Sequence, residues 1–424
     1  MDKKDRLRLL PLRLSEVYYG WWIVVACFLI AFYTGGSVFF SFTAIFEPIA
    51  SEFGWSYAQV SFAASLRGME IGLLAPVVGM LVDRWGARRL MFIGISIASL
   101  GLYLLSKTNS LGMFYGAYLM VAVGVSSGTT TVTMATVAGW FRRKIGIATG
   151  IMICGYGSSG LIIPLVVKLI DVYGWRTTMV IQAIGMIVIC IPLVLLLRHR
   201  PEQYGLLPDG EVRNPSIIDN ESAPPAEDAG FSAKQALKSR AFWHITGGFL
   251  THMMAVHTVI THVMPYLSSI GVERAAAGLA ATAIPLISVG GRFGFGWISD
   301  KMSKKKITFI TFSMLAVGAL LFELLDSVGI WLLVPFLVLF GLGYGGNVTM
   351  SAVMPVTYFG RKNFGAIIGF INGFMILGSI SGPPLAGWVF DTWGSYQSIW
   401  FIFAGLVTIG NIILLTAPPV RSTR

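Results

Sequence analysis

The stretch Gly79-Met80-Leu81-Val82-Asp83-Arg84-Trp85-Gly86-Ala87-Arg88-Arg89 follows a long apolar run, and a related stretch follows another: Gly296-Trp297-Ile298-Ser299-Asp300-Lys301-Met302-Ser303-Lys304-Lys305-Lys306. In both, a glycine precedes an aspartate by one helical turn, and a basic residue and a basic cluster come next. Basic segments between apolar spans mark the cytoplasmic ends of membrane helices. The repeat therefore indicates a chain of two related halves, each with its own membrane helices.

A second pair of segments extends this repeat. The run Gly146-Ile147-Ala148-Thr149-Gly150 corresponds to Gly365-Ala366-Ile367-Ile368-Gly369, and related turns precede the two runs at 140–144 and 358–362. Repeated halves in a membrane protein place a substrate site at their interface, near the bilayer midplane, and imply alternating access.

The composition is that of a membrane protein. Of the 424 residues, 55% are hydrophobic and 12% are charged, whereas soluble domains carry about 25% charged residues. The net charge of +11 lies in short segments between apolar runs, which is a topology signal and not a nucleic-acid surface. Apolar runs long enough to cross a bilayer predict twelve spans, at 19–44, 58–82, 90–107, 112–140, 146–170, 176–198, 242–268, 275–299, 307–325, 330–358, 365–389 and 396–417.

These runs predict an all-α polytopic membrane protein with twelve transmembrane helices in two pseudo-symmetric six-helix bundles. The predicted boundaries are 1–198 for the first bundle, 199–240 for a proline-containing cytoplasmic linker and 241–424 for the second bundle. The end of the linker, 232–240, reads as a short surface helix capped by Ser232. With both termini in the cytoplasm, 25 of the 31 Lys and Arg residues lie on that side, as the positive-inside rule requires.

Arg292 is a charge inside the eighth span. It lies eight residues before Asp300, so about 12 Å deeper along a helix and near the middle of a hydrocarbon core about 30 Å thick. Arginine stays charged in proteins, and an ionisable residue at this depth is by default a candidate functional site. We expect Arg292 to bind an anion; the alternative is a structural ion pair with another helix.

The segment Gly79 to Arg89 resembles the loop 2–3 motif of the major facilitator superfamily, and its second copy at Gly296 strengthens the resemblance. Within that superfamily, the run 19–25 and the turn 140–144 resemble those of monocarboxylate transporters and oxalate–formate antiporters. Both families carry an arginine on span eight that binds the substrate carboxylate, and Arg292 matches it. The resemblance implies a secondary transporter for a small organic anion.

Two departures from these families bear on the substrate. Animal monocarboxylate transporters place an aspartate for proton coupling one turn before the arginine, where this chain has Ser288. The oxalate antiporter has a lysine on span eleven, whereas 365–390 here contains no Lys, Arg or His. One central cation favours a monocarboxylate such as lactate or pyruvate, with a proton as co-substrate; an anion exchanger without proton coupling is the alternative.

Other polar groups inside the spans are candidates for proton coupling. Arg67 and Glu70 share a face of span two, so Glu70 could titrate, Arg67 could be a second anion contact, or the two could form a permanent pair. His252 and His257 lie in the apolar part of span seven, where an imidazole can carry a proton or hydrogen-bond between helices as a neutral group.

Neutral side chains complete the predicted substrate site. They are Asn347, Asn372, Tyr344, Tyr33 and Ser127. The two amides are the stronger candidates because a lipid-facing amide is costly, whereas hydroxyl groups also serve helix packing.

Charged residues at the helix ends are predicted to control access without touching substrate. They are Asp83, Arg84, Arg88, Asp300 and Lys301. In the superfamily that the chain resembles, such charges hold the two halves together in one access state.

The sequence argues against an enzyme, because it has no nucleophile–base set, no phosphate-binding loop and no metal-ligand cluster. We therefore expect no cofactor, no metal and no nucleic-acid partner. We expect a monomer in a bilayer, and short loops suggest a bacterial inner membrane.

Overall fold

The computed structural model describes residues 18–198, 201–204, 209, 231–299, 301–360 and 364–418. The helices of the first bundle are, in chain order, α1 (Tyr19–Thr34), a π-helical segment (Gly35–Phe40), α2 (Phe42–Phe53), α3 (Tyr57–Trp85), α4 (Ala87–Ser106), α5 (Leu111–Gly128), α6 (Thr130–Trp140), α7 (Ile145–Ser158), a 3-10 turn (Ser159–Ile162), α8 (Ile163–Gly185), a second π-helical segment (Met186–Cys190) and α9 (Ile191–Leu196).

A 3-10 turn (Pro201–Tyr204) and α10 (Ala233–Lys238) belong to the linker. The helices of the second bundle are α11 (Arg240–Ser269), α12 (Arg274–Ser299), α13 (Lys304–Glu323), α14 (Leu325–Val328), a 3-10 turn (Ile330–Leu332), α15 (Leu333–Phe359), α16 (Phe364–Trp393) and α17 (Gln397–Leu415).

Nine helical segments of the described chain are long and apolar enough to cross a membrane. One of them, Ile145–Leu196, holds two crossings because the chain reverses at Gly174, where φ is 77°. The helices α3 and α11, of 29 and 30 residues, are also long enough to cross, which brings the described crossings to twelve. The prediction of twelve spans in two six-helix bundles is confirmed.

Glycines set the helix spacing inside each bundle. A Cβ on Gly124 of α5 would overlap the backbone of Ala98 in α4, and a Cβ on Gly343 of α15 would lie 2.9 Å from the Thr311 carbonyl oxygen in α13. Small residues let membrane helices pack backbone to backbone. The two pairs occupy equivalent places in the two bundles, as the pseudo-symmetry requires.

The bundles meet most closely at one face. We call the face where α2, α4 and α16 end the far face, and the face where α3, α6 and α15 end the linker face. At the far face Arg274 of α12 contacts the first bundle twice: its Nε pairs with Asp171 over 2.8 Å and its Nη2 donates to the Ala44 carbonyl over 2.8 Å. The hydrogen bonds described between the bundles run from this face to the level of Arg292. The structure is therefore closed at the far face.

Both ends of the linker contact the bundles. The Arg198 carbonyl accepts from Trp140 Nε1 over 3.1 Å, and the Arg198 guanidinium stacks 4.0 Å from the Tyr19 ring centroid. At the other end, Phe231 N donates to the Phe359 carbonyl over 3.0 Å. The short helix predicted after Ser232 is confirmed as α10, and the Ser232 side chain accepts from the third amide of that helix.

Asp209 fixes one point within the linker. Its carboxylate accepts from the backbone amides of Arg142 and Arg143 over 2.8 Å each and of Lys144 over 3.1 Å, just before α7. Its partial burial opposes ionisation, but these three hydrogen bonds and the charge of Lys144 outweigh burial and hold the pKa of Asp209 below its ordinary value. Amides ahead of a helix favour an anion in this way.

We expect Asp209→Asn to loosen the linker, because an amide has one acceptor oxygen and no charge. Limited trypsin digestion of the purified protein should cut the linker about two- to fivefold faster. A lowered pKa stabilises the folded contact above the ordinary carboxyl pKa and loses it as pH falls through the lowered value, so the effect should be constant from pH 6 to 8. Glu273→Gln makes the same change of charge at an exposed position of the far face. Trypsin should cut the linker of this variant at the wild-type rate. Equal rates for the two variants would rule out the linker contact.

Candidate functional site

Arg292 lies on α12 where α15 packs against it. A Cβ on Gly345 would overlap the Ser288 carbonyl oxygen, and a Cβ on Gly291 would overlap the Leu342 carbonyl oxygen. This backbone-to-backbone packing brings the Tyr344 ring centroid to 5.8 Å from the Arg292 guanidinium carbon. That distance is within the range of a cation–π interaction, so Tyr344 lies beside Arg292, and its contact with substrate stays a prediction.

The guanidinium of Arg292 reaches across the interface between the bundles. Its Nη1 donates to the Ile153 carbonyl of α7 over a long 3.3 Å. Its Nε is buried and has no hydrogen-bond partner in the described part of the chain. A guanidinium has five N–H donors, and within the described part of the chain Arg292 makes one hydrogen bond, to Ile153. The arrangement can accept the two oxygens of a carboxylate.

The residues of α7 beside Arg292 complete this part of the interface. A Cβ on Gly157 would overlap the Val289 side chain of α12, so the two helices touch there. Cys154 follows Ile153, is partly exposed and lies within electrostatic reach of Arg292. Cys27 and Cys190 are buried. We call Arg292, Tyr344, Ile153 and Cys154 the central site.

The two amides differ in their surroundings. Asn347 is fully buried and its Oδ1 accepts from Thr311 of α13 over 3.0 Å, so the amide connects α15 to α13. Asn372 lies on an exposed face of α16. The Asn347 amide thus faces α13, and a substrate role for Asn347 and Asn372 stays a prediction.

Tyr33 and Ser127 also form local contacts. The Tyr33 hydroxyl donates to the Gln182 carbonyl of α8 over 3.0 Å, so it connects two helices of the first bundle. Ser127 Oγ donates to the Val123 carbonyl of its own helix over 2.7 Å. Hydroxyls that bond back to the preceding turn are common in membrane helices, and a substrate role for these two stays a prediction.

The two histidines of α11 differ in their surroundings. His252 is fully buried, and its ring lies within 6.3 Å of the rings of Phe249 and Phe312, in the second bundle. His257 is partly exposed and packs edge-on, at 5.7 Å between ring centroids, against Phe39 in the first bundle. Only His257 of the pair is placed at the interface between the bundles.

A third histidine of this helix, His262, joins the bundles nearer the far face. Its Nε2 lies 2.9 Å from the Pro383 carbonyl and 3.0 Å from Ser61 Oγ of α3, and its Nδ1 lies 2.9 Å from the Tyr396 hydroxyl. A carbonyl only accepts, so Nε2 donates to Pro383, while Nδ1 shares a hydrogen bond with the Tyr396 hydroxyl. His262 is thus hydrogen-bonded between helices of both bundles.

The residues predicted to control access lie near the linker-face ends of α3 and α12 and at the start of α4, whereas Arg67 and Glu70 lie in the middle part of α3. The backbones of Arg67, Glu70 and Asp83 belong to α3 but their side chains are not among those described, and Asp300 lies outside the described residues. Arg84 and Arg88 are exposed. Lys301 Nζ sits 3.7 Å from the Trp297 ring centroid. The access-control role of this group stays a prediction.

Sequence reasoning missed three contributors. The Ile153 carbonyl belongs to the main chain and leaves no sequence signal. Cys154 stands in the apolar run of the fifth span, where a lone thiol gives no sign of a site. Asp391 ends the eleventh span, where a carboxylate reads as an ordinary solvated residue; in the structure it hydrogen-bonds to the other bundle.

Comparison with known proteins places the chain among membrane transporters. It is 27% identical over 416 residues to monocarboxylate transporter 12-B of Danio rerio, covering 94% of this chain and 86% of the relative. It is 23% identical over 374 residues to the oxalate:formate antiporter of Oxalobacter formigenes, covering 88% and 85%. These relatives are transporters and not enzymes.

A solved structure shares the fold. The crystal structure of the nucleoside transporter NupG matches with a TM-score of 0.74 at 13% identity, covering 96% of this chain and 100% of that one. At this identity the likeness concerns the fold alone. The Major Facilitator Superfamily model matches residues 26–328 and 258–424, and the chain belongs to the Major Facilitator Superfamily.

Proposed function

We propose that this protein moves a small monocarboxylate of the lactate or pyruvate class across the membrane by alternating access, together with a proton. The substrate carboxylate binds Arg292 in the central site. The linker face and both termini lie in the cytoplasm of a bacterial cell, so the structure, closed at the far face, represents the inward-facing state. The protein works as a monomer.

The observation that carries this proposal is the guanidinium of Arg292, which makes one hydrogen bond within the part of the chain that the structure describes. A cation removed from water is costly unless it is paired and hydrogen-bonded. Here the charge has one long hydrogen bond to Ile153 and the Tyr344 ring, with a buried Nε still free in the described chain. Because a planar guanidinium matches a carboxylate with two parallel hydrogen bonds, an organic anion fits this site better than a neutral solute.

The number of cations supports one carboxylate over two. Segment 365–390, which covers most of α16, has no Lys, Arg or His in the sequence, so α16 offers no second anion partner. Relatives named monocarboxylate transporters agree with this reading. A second bound carboxylate would need Arg67, which lies on α3 of the opposite bundle.

A co-transported proton makes the cycle electroneutral. Moving one charge against the membrane potential costs about 2.3 kcal/mol per 100 mV, and a proton cancels the substrate charge. Ser288 cannot supply this proton: it is buried and its hydroxyl donates to the Pro285 carbonyl over 2.6 Å. Of the other candidates, His257 faces the opposite bundle, whereas His252 lies inside its own bundle. We assign the proton to His257 or Glu70.

Uptake of labelled lactate and pyruvate into proteoliposomes tests the proposal. An inward proton gradient should raise initial uptake about tenfold over no gradient, and a potential without a pH gradient should change it less than twofold. His257→Gln or Glu70→Gln should remove the response to the gradient while leaving exchange of internal for external substrate intact. His252→Gln is the matched control on the same helix. Uptake that ignores the pH gradient in the wild type would refute proton coupling.

An anion exchanger without a proton is the second candidate, favoured by the relative named oxalate:formate antiporter. It predicts that uptake needs internal substrate at every pH gradient. Liposomes loaded with and without lactate, formate or oxalate separate the two mechanisms.

A further inference from the structure

The first-turn amides of α3 donate hydrogen bonds to acceptors in both bundles. The opening amides of a helix have no partner within it. Ser56, which precedes α3, accepts from the amide of Gln59 over 3.2 Å. The two amides before that one, of Tyr57 and Ala58, donate to the Asp391 carboxylate of α16 over 2.8 and 2.9 Å. Asp391 therefore caps a helix that belongs to the other bundle.

Gly387 makes this contact possible. It lies one helical turn before Asp391, and a Cβ there would come within 2.6 Å of the backbone of both Tyr57 and Ala58. The backbone of α16 thus rests directly on the first turn of α3. Deeper in the same contact, Ser65 Oγ donates to the Ile380 carbonyl over 2.6 Å. We call this set of interactions the α3–α16 contact.

The cap supplies a moderate bias between two states. If the bundles separate at the far face, the amides of Tyr57 and Ala58 can donate to water in place of the Asp391 carboxylate. The closed state gains only the advantage of a carboxylate over water at a positive helix end. A moderate bias suits a protein that must open and close at this face, since a much stronger contact would hold one state.

We propose that Asp391 is a positioning residue of the transport cycle, which sets the fraction of molecules closed at the far face by capping α3 from the opposite bundle. Gly387 provides the close approach that the cap needs. The proposal rests on the alternating access of the proposed function, but it does not depend on which substrate is carried.

A cysteine inside the α3–α16 contact reports its opening. Ser379 is 4% exposed, and its Oγ lies 2.8 Å from where a Cβ on Gly68 of α3 would be. Ser379→Cys, in a Cys154→Ser background that keeps the buried Cys27 and Cys190, should react slowly with a water-soluble maleimide. The full chain in nanodiscs, without substrate, makes both faces accessible and removes any dependence on orientation.

Adding Asp391→Ala should raise the alkylation rate about fivefold, and Asp391→Asn, which keeps one acceptor oxygen, should give a smaller increase. Gly387→Ala should raise it as well, because its methyl group separates the same backbones without a change of charge. Glu52→Ala is the control: it breaks the 2.7 Å pair with Arg176 at the same face but inside the first bundle, and should leave the rate unchanged.

The outcomes are distinct. Wild-type alkylation rates in both the Asp391 variants and Gly387→Ala would overturn the proposal. Faster alkylation without uptake of any carboxylate would keep the α3–α16 contact and refute the proposed substrate. Uptake as proposed with unchanged alkylation would keep the substrate and refute the role of Asp391. If Asp391→Ala does not fold, Asp391→Asn and Gly387→Ala still decide the question.

Discussion

Replacing Arg292 by alanine is expected to lower monocarboxylate uptake at least about 100-fold. Truncating one partner of a buried, hydrogen-bonded charge pair typically costs 2–5 kcal/mol or more, and no other cation of the described residues contacts the central site. Arg292→Lys should restore little, because an ammonium lacks the planar pair of donors that a carboxylate accepts. Initial uptake of labelled lactate over a range of concentrations measures the effect.

Labelling of a natural cysteine can distinguish substrate binding from substrate transport. Cys154 is the partly exposed one beside Arg292, while Cys27 and Cys190 are buried. Lactate should slow maleimide labelling of Cys154 in the wild type and should not slow it in Arg292→Ala. Arg176→Lys, at the Glu52 pair of the far face, is the matched control and should keep both uptake and protection. Full protection in Arg292→Ala would mean that lactate binds near Cys154 without Arg292, and Arg292 would then be a structural group.

Arg292 could be identified from the sequence because the free-energy cost of its charge depends on how deep it lies in the membrane. A charge about 12 Å inside a span needs an explanation whatever surrounds it. The same holds for the fold: apolar length and repeated basic segments define spans and halves without any knowledge of packing. Both features can be read along the chain without knowledge of helix packing, and the helices and bundles of the structure agree with them.

The neutral polar residues could not be placed in the same way. Asn347 and Tyr33 both avoid lipid, and sequence alone offers two ways to do that: face a cavity or face a neighbouring helix. The choice depends on helix rotation and on which helices are neighbours. Asn347 contacts Thr311, and Tyr33 contacts the Gln182 carbonyl. Both hydrogen bonds lie inside one bundle, and a substrate role for either residue stays a prediction.

The contacts between the bundles were the least visible in sequence. The group of Ile153 that accepts from Arg292 is a main-chain carbonyl, which every residue has. Asp391 gains its role only because the start of α3 lies next to it in the folded chain. Such contacts exist only after two distant segments meet. Contacts of this kind between the bundles are therefore the part of the structure that the sequence indicates least.

Gly345→Ala is expected to destabilise the second bundle and to disable the central site together. The added methyl group would overlap the Ser288 carbonyl oxygen and lie 2.9 Å from the Arg292 amide nitrogen. Neither belongs to a side chain that can rotate away, so α15 must move from α12 at a cost of about 1–3 kcal/mol or more. This movement of α15 would increase the distance between the Tyr344 ring and the Arg292 guanidinium. Thermal unfolding in detergent and lactate uptake should both fall. Gly294→Ala, in the same helix as Arg292 with no atom within 4 Å of the new methyl group, should keep both. If the two variants unfold at the same temperature, the α12–α15 packing does not position the site.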